Sequence, residues 1–193
     1  KGKGLTEGMK VARPGLTTLQ VMETVDYVYR LHGAQLGFHT GVALASHLNE
    51  TLRWESTREE EAARKGDARI SEGILVHFDT GAEVNHYSAD VQRTVPASDR
   101  FNDEQRRIYQ VVLEVQKAVI EAVRPGATWQ ELHDLAVSML RDAGGWDESY
   151  TYGIGHFIGM EVHEHGDYLA PLQPGMVLAI EQGVIVDGTR VAF

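Results

Sequence analysis

Apolar residues recur at helical spacing in three stretches of this chain. Val21, Met22, Val25, Val28 and Tyr29 share one face between Thr17 and Gly33. Leu132, Leu135, Ala136, Met139 and Leu140 do so between Thr128 and Gly144. A longer helix from about Asn102 to Val123 turns Ile108, Val111, Val112, Val115 and Val119 inward. Gln20 follows Thr17 by three residues, and Glu131 follows Thr128 likewise, so both helix starts fit a capping box in which hydroxyl and side chain satisfy free N–H groups. Arg13-Pro14-Gly15-Leu16-Thr17 recurs as Arg124-Pro125-Gly126-Ala127-Thr128, an offset of 111 residues that also relates Gly33 to Gly144. The chain reads as a degenerate duplication.

Other stretches have the look of strands. Ile74 to Gly81 and Tyr87 to Thr94 are apolar and β-prone, with Val84-Asn85 expected as the two-residue turn because Asn tolerates positive φ. That turn sets 83 opposite 86 and Asp79 opposite Asp90, with Cβ atoms roughly 4.5–5.5 Å apart. Two unpaired carboxylates so placed repel, and a cation between them removes the penalty. A second hairpin runs from Met176-Val177-Leu178-Ala179-Ile180-Glu181 through Val184-Ile185-Val186 and an Asp187-Gly188 turn to Thr189–Phe193. Pairing outward from that turn sets 182 opposite 193, and Glu181 opposite the position after Phe193. Each half is therefore a helix followed by strands bearing candidate ligands, Asp79 and Asp90 in the first, His156 and Glu181 in the second. The expected class is a pseudo-symmetric α+β domain with ligands meeting between the halves. The densely charged run from Asn49 to Glu72 is read as solvated surface, with a lid over the site as the alternative.

Composition narrows the classes. With 193 residues, 42% of them apolar, the chain has ample material for one core. A net charge of −10 without a basic tract argues against nucleic acid or anionic membrane as partner. There is no cysteine, no apolar run long enough to span a membrane and no signal peptide, so cytoplasm is the expected location. The opening Lys1-Gly2-Lys3-Gly4 has no initiator Met, and residues 1–193 are read as one domain truncated at both ends. Three histidines, His156, His163 and His165, lie in the glycine-punctuated segment from Gly153 to Gly166. Asp79, Asp90, Glu181 and one imidazole make an oxygen-rich, sulfur-free donor set, which favours Mn²⁺, Co²⁺ and Fe²⁺ over a structural zinc. Two ions sharing carboxylates would acidify a bridging water and polarise a carbonyl together, giving hydrolysis without a covalent intermediate. Asp79-Thr80-Gly81 also matches an aspartic protease signature. Such enzymes need two Asp loops, and Asp90 is followed by Val91-Gln92, so a monomeric version is excluded.

Four motifs in order, Asp79-Thr80-Gly81-Ala82, Ser88-Ala89-Asp90-Val91-Gln92-Arg93-Thr94, Gly155-His156-Phe157-Ile158-Gly159 with Val162-His163-Glu164, and Pro174-Gly175-Met176-Val177 before Glu181-Gln182-Gly183, resemble the pita-bread metallopeptidases. That family includes methionine aminopeptidases, X-Pro aminopeptidases, prolidases and creatinases. The likeness runs from about residue 9 to the end, and Arg93-Thr94-Val95-Pro96 and Met160–Glu164 resemble its proline-peptidase branch. The resemblance implies duplicated helices over a curved, mainly antiparallel sheet. It also implies a dinuclear peptidase acting on X-Pro bonds through a metal-bridging hydroxide, with Mn²⁺ or Co²⁺ as cofactor and Zn²⁺ or Fe²⁺ compatible.

By the same resemblance Asp79 is a terminal ligand, Asp90 a bridging one, His156 a ligand of the second metal, and Glu181 both ligand and general base. His163 would bind substrate and stabilise the developing oxyanion. The family's upstream substrate-binding His would be His47 or His39. A peptide is the implied substrate, and a homodimer formed through a preceding N-terminal domain the implied assembly. Two departures stand out. Glu181-Gln182-Gly183 replaces Glu-Pro-Gly, and the final bridging Glu has no counterpart within the chain. Aligning Arg190-Val191-Ala192 would make Ala192 a lost ligand, whereas the hairpin register assigns that ligand to the position after Phe193. Arg190 is a candidate for capturing a dipeptide's free carboxylate. A non-catalytic peptide-binding module, a methionine aminopeptidase and a creatinase-like hydrolase remain as other readings.

Overall fold

A computed structural model of the chain describes residues 2–45, 68–150 and 153–193. Helix α1 (Lys3–Val11) precedes α2 (Thr18–Leu31), then come strands β1 (Gln35–Leu36), β2 (Gly41–Leu44), β3 (Leu75–Thr80), β4 (Ala82–Val84), β5 (Tyr87–Ser88) and β6 (Val91–Pro96). The second half opens with α3 (Asp103–Ala122) and α4 (Trp129–Asp142) and a 3₁₀ turn at Trp146–Ser149. It closes with β7 (Gly155–Phe157), β8 (Leu178–Ile180), β9 (Gly183–Val186) and β10 (Thr189–Ala192). Among the described residues every strand pairing is antiparallel, in four short sheets, β1-β4-β5, β2-β3-β6, β7-β8 and β9-β10. The α+β class is as expected.

The helices form where capping and periodicity place them. Both capping boxes are present, Thr17 with Gln20 and Thr128 with Glu131, and Asn102 with Gln105 makes a third. The inward stripes are buried at Val21, Met22, Val25 and Tyr29 in α2, at Ile108, Val112, Val115 and Val119 in α3, and at Leu132, Ala136 and Leu140 in α4. Each half centres on a core, and Ala45 and Leu75 of the first half join that of the second. In one, α2 packs on Leu5, Val42, Val76 and Phe78. In the other, α3 and α4 close over Val184, Val186, Val191 and Phe193. Fully burying each such side chain contributes ~1.5–3 kcal/mol, so both halves can hold strained polar groups at their seam. No helix among the described residues is long and apolar enough to cross a membrane.

The duplication extends to hydrogen bonds. Gly15 N donates to Ile70 O at 2.9 Å and Ile70 N to Leu16 O at 2.8 Å; Gly126 N donates to Leu172 O and Leu172 N to Ala127 O, both at 2.8 Å. Ile70 and Leu172 are 102 residues apart, as are Asp79 and Glu181. The two acids therefore stand at equivalent places in the two halves.

Two expectations need correction. The first hairpin turns at Asn85-His86, with φ of 53° and 66°, and pairs Val84 with Tyr87 and Glu83 with Ser88. Asp79 consequently faces Gln92, and Asp90 lies two positions away. A β-branched Val84 is poorly tolerated at positive φ, whereas Asn and His enter that region more readily, so the turn moves by one residue and the register by two. A shift of two preserves the face of the pleat, so Asp79 and Asp90 are diagonal neighbours rather than a directly opposed pair. The second hairpin keeps its expected register, Thr189 facing Val186 and Ala192 facing Gly183, with Phe193 N on Gln182 O at 3.0 Å. Of the charged run, residues 49–67 lie outside the described residues, as does His47.

Helix α1 was not anticipated, because Gly4 and Gly8 weaken a helical pattern. Packing explains them. A Cβ at Gly8 would collide with Val25, and one at Gly4 would stand 2.5 Å from Tyr29 Cε1, so the two glycines are what let α1 lie against α2. Gly8→Ala should therefore lower the thermal midpoint. Overpacking costs ~1–3 kcal/mol against a helix-propensity gain of ~1 kcal/mol, and an unchanged or raised midpoint in circular-dichroism melts would contradict the close approach.

Candidate metal centre

Four elements bring the acids and imidazole together. Asp79 lies near the end of β3 and Asp90 just before β6, both from the first half. His156 lies in β7 and Glu181 follows β8, and Glu181 N donates to Ile154 O at 3.0 Å, which sets it beside β7. β3 is anchored from below. The Thr80 hydroxyl meets Thr40 Oγ1 at 2.9 Å and donates to Tyr29 Oη at 3.4 Å, while Thr40 donates to Asp26 Oδ1 at 2.6 Å. Across the seam, Thr94 Oγ1 donates to Ala192 O at 3.1 Å and accepts from Ala192 N at 3.0 Å.

The site's orientation is set by His156. Its Nδ1 lies 2.9 Å from Phe157 O, an acceptor only, so Nδ1 carries the proton and Nε2 is the ring nitrogen left for a ligand. Nε2 is 3.3 Å from Asp90 Oδ2 and 3.8 Å from Glu181 Oε2, close enough for charge attraction but off hydrogen-bond geometry. One donor atom from each of Asp90, His156 and Glu181 lies within 4.8 Å of the others. Asp79 stands outside that triplet but feels the charges of Asp90 and Glu181. Asp79 Oδ1, Asp90 Oδ1 and His156 Nε2 are buried without a hydrogen-bond partner among the described residues. Unpartnered polar atoms of this kind are costly in a protein interior. Carboxylate oxygens with one imidazole nitrogen are a donor set that Mn²⁺, Co²⁺ or Fe²⁺ accepts. The residues fit a divalent metal.

Electrostatics carry the same strain. Burial, then repulsion from Asp90 and Glu181, pushes the Asp79 carboxyl up to about 7, against the opposing pull of Arg190 and His156. Burial disfavours the His156 cation, yet Asp90, Glu181 and the Phe157 carbonyl outweigh it and raise the imidazole to about 10. Without a metal, His156 serves as the counter-ion of its own neighbours.

His163 is exposed, its ring edge-on to His156 with centroids 4.2 Å apart, so it borders the cluster. Glu164 braces the loop that carries it. One carboxylate oxygen accepts from Met160 N at 3.1 Å and Glu161 N at 3.3 Å, and the other from His165 N at 3.0 Å. These N–H groups, those of His165 and Glu161 foremost, hold the Glu164 carboxyl below its usual range. Ser88 N donates to Gly159 O at 2.9 Å, which ties the first hairpin to that loop. His39 is exposed between β1 and β2. Arg190 is only 6% exposed, and its charge acts on Asp79 and on the buried, neutral-leaning His77. That burial counts against Arg190 as a clamp for a substrate's free carboxylate.

One site residue escaped the sequence reading. Gln92 donates from Nε2 to Glu181 Oε1 at 3.0 Å. The signal for it was strand alternation, since it stands two residues from Asp90 on the same face. A groove of about 520 Å³ beside it is lined by Asp90, Gln92, Arg93, Gln116, Leu178 and Glu181.

Asp79 yields a prediction for metal-free protein. Its folded carboxyl titrates near 7 against an ordinary 3.8, so folding loses stability as pH rises above about 4, and the loss is complete once pH passes about 7. The full loss amounts to roughly 4 kcal/mol. Asp79→Asn should therefore stabilise the metal-free protein much more at pH 8 than at pH 5, and added Mn²⁺ should abolish the gain. Thermal melts giving the same difference at both pH values would refute the account.

A family model described as metallopeptidase family M24 matches residues 1–193. The likeness thus includes α1, which the motifs alone, counted from about residue 9, did not reach. The chain is 32% identical over 187 residues to the Xaa-Pro dipeptidase of Pyrococcus horikoshii, covering 94% of this chain and 48% of that one. Among solved structures, the prolidase from Pyrococcus horikoshii OT3 superposes with a TM-score of 0.83 at 29% identity, covering 98% of this chain and 54% of that one. Pseudomonas aeruginosa aminopeptidase PepP gives 0.83 at 28%, covering 99% and 49%. The chain spans about half the length of the curated relatives it matches, and its architecture is the pita-bread fold. On the match over its whole length, the chain belongs to metallopeptidase family M24.

Proposed function

We propose that residues 1–193 form the catalytic domain of a dinuclear metal-dependent peptidase that cleaves X-Pro bonds. The observation that carries this reading is the convergence of Asp90, His156 and Glu181, drawn from both halves, within 4.8 Å. Asp79 and His163 at its margin support it, as do the names Xaa-Pro dipeptidase, prolidase and aminopeptidase among its relatives. Asp79, Asp90, His156 and Glu181 would hold the ions, with Mn²⁺ or Co²⁺ as the metals.

Bound ions supply Lewis acidity toward the scissile carbonyl and the attacking water. Glu181 takes a proton from that water as the new C–O bond forms, then delivers it to the prolyl nitrogen as the C–N bond breaks. An amide nitrogen leaves well only once protonated, and the proton from Glu181 becomes the N–H of the released prolyl amine. His163 donates a hydrogen bond to the carbonyl oxygen as negative charge develops there. The Glu164 brace holds the His163 loop in place for that contact.

Full-length protein with Mn²⁺ or Co²⁺ should hydrolyse an X-Pro dipeptide, an X-Pro-initiated longer peptide, or both, and lose the activity to a chelator. Cleavage of the dipeptide marks a dipeptidase, and cleavage of the longer peptide an aminopeptidase. Metal uptake with no hydrolysis of either sinks the reading in favour of a peptide-binding module, or of a Met-peptide or creatine-type hydrolase if those substrates turn over. Glu181→Gln should reduce kcat by roughly 10²–10⁴-fold. His163→Asn should cost roughly 10²–10³-fold in kcat while calorimetric metal binding stays close to wild type; a matching loss of metal affinity would make His163 a ligand instead.

A further inference from the structure

We propose that Gln92 is a positioning residue that holds Glu181 as a one-oxygen metal ligand, a role that rests on the metal-site reading above. Gln92 lies on β6 directly opposite Asp79 and two residues beyond Asp90, so the pleat turns all three side chains to one face. It is 7% exposed. From there it crosses the seam between the halves, and its Nε2 donates to Glu181 Oε1 at 3.0 Å. The other carboxylate oxygen, Oε2, faces His156 Nε2 at 3.8 Å.

The chemistry follows from which oxygen is engaged. A carboxylate with both oxygens free can chelate an ion. One whose Oε1 accepts an amide N–H presents a single oxygen to the metal position, and keeps on Oε1 a lone pair aimed for proton transfer. A carboxylate only accepts, so the amide orientation is fixed, with Nε2 toward Glu181. Glutamine also adds no further negative charge beside Asp79, whose carboxyl is already crowded by Asp90 and Glu181. Its own Oε1 is buried without a partner among the described residues. A side chain kept merely to brace two strands has no reason to bear that orphan acceptor. Groups that orient metal ligands in this way typically change metal affinity or activity 10–100-fold when removed.

Co²⁺ reports the geometry directly, because its visible d–d absorption weakens as coordination number rises. Full-length wild type, Gln92→Met and Gln92→Leu would be loaded with Co²⁺ and compared by absorption spectrum, calorimetric Kd and steady-state kinetics. Gln92→Met keeps the length without a donor. Gln92→Leu removes the donor in a shorter side chain without adding charge, and answers the question if the Met variant does not fold. The expected result is a weaker, shifted d–d band, a Kd raised about 10-fold or more, and a kcat that falls while KM stays near wild type. Folded variants with an unchanged band and Kd would overturn the proposal and leave Gln92 a strand brace. A wild type that binds no Co²⁺ would overturn the metal-site reading itself, and this inference with it.

Discussion

Crowded negative charge at the seam between two halves is the constraint on which the rest of this structure depends. Asp79, Asp90 and Glu181 gather beside a single imidazole, in surroundings where two like charges 4 Å apart repel by ~4 kcal/mol at an effective dielectric of 20. Burial and then that crowding push Asp79 up to about 7, and the same acids outweigh burial to raise His156 to about 10. A polypeptide holds such an arrangement only if something stronger enforces it. Here two separate apolar cores do so, with Val21, Val25 and Phe78 on one side and Ile108, Val112 and Leu132 on the other, all essentially inaccessible to water.

The duplication explains how the charges meet. In each half an Arg-Pro-Gly-x-Thr segment makes the same pair of backbone bonds to an apolar residue, Ile70 or Leu172, and the chain then carries an acid forward, nine residues on, to Asp79 or Glu181. The halves diverge after that point. The first supplies Asp90 from its hairpin, and the second supplies His156 from a strand placed earlier in the sequence than its acid. The site is thus oxygen-rich on one side and carries its nitrogen donor on the other. It exists only when both halves are docked, through contacts such as Thr94 with Ala192 and Gln92 with Glu181.

The border of the site is placed differently. His163 sits on a loop rather than a strand, and a loop contributes precision only if its backbone is fixed. The Glu164 carboxylate performs that fixing by collecting three main-chain N–H groups, while Ser88 holds the loop to the opposite hairpin. The positions of the groups around the site therefore depend on both halves.

Local patterns along the chain sufficed for much of this. Thr17 and Thr128 capped their helices, the apolar stripes faced inward, and Asp187-Gly188 set the register of its hairpin, because each depends on residues a few positions apart. Asp90, His156 and Glu181 were legible as chemistry, and they share one focus. Only the tertiary structure decided the rest. Helix α1 forms because missing Cβ atoms at Gly4 and Gly8 let it dock on α2, a gain that propensity along the chain counts as a loss. The first hairpin turns at Asn85-His86, which makes Gln92 rather than Asp90 the partner of Asp79. The Gln92–Glu181 bond joins residues 89 positions apart. No periodicity encodes such a contact, since it arises only when the two halves pack against each other.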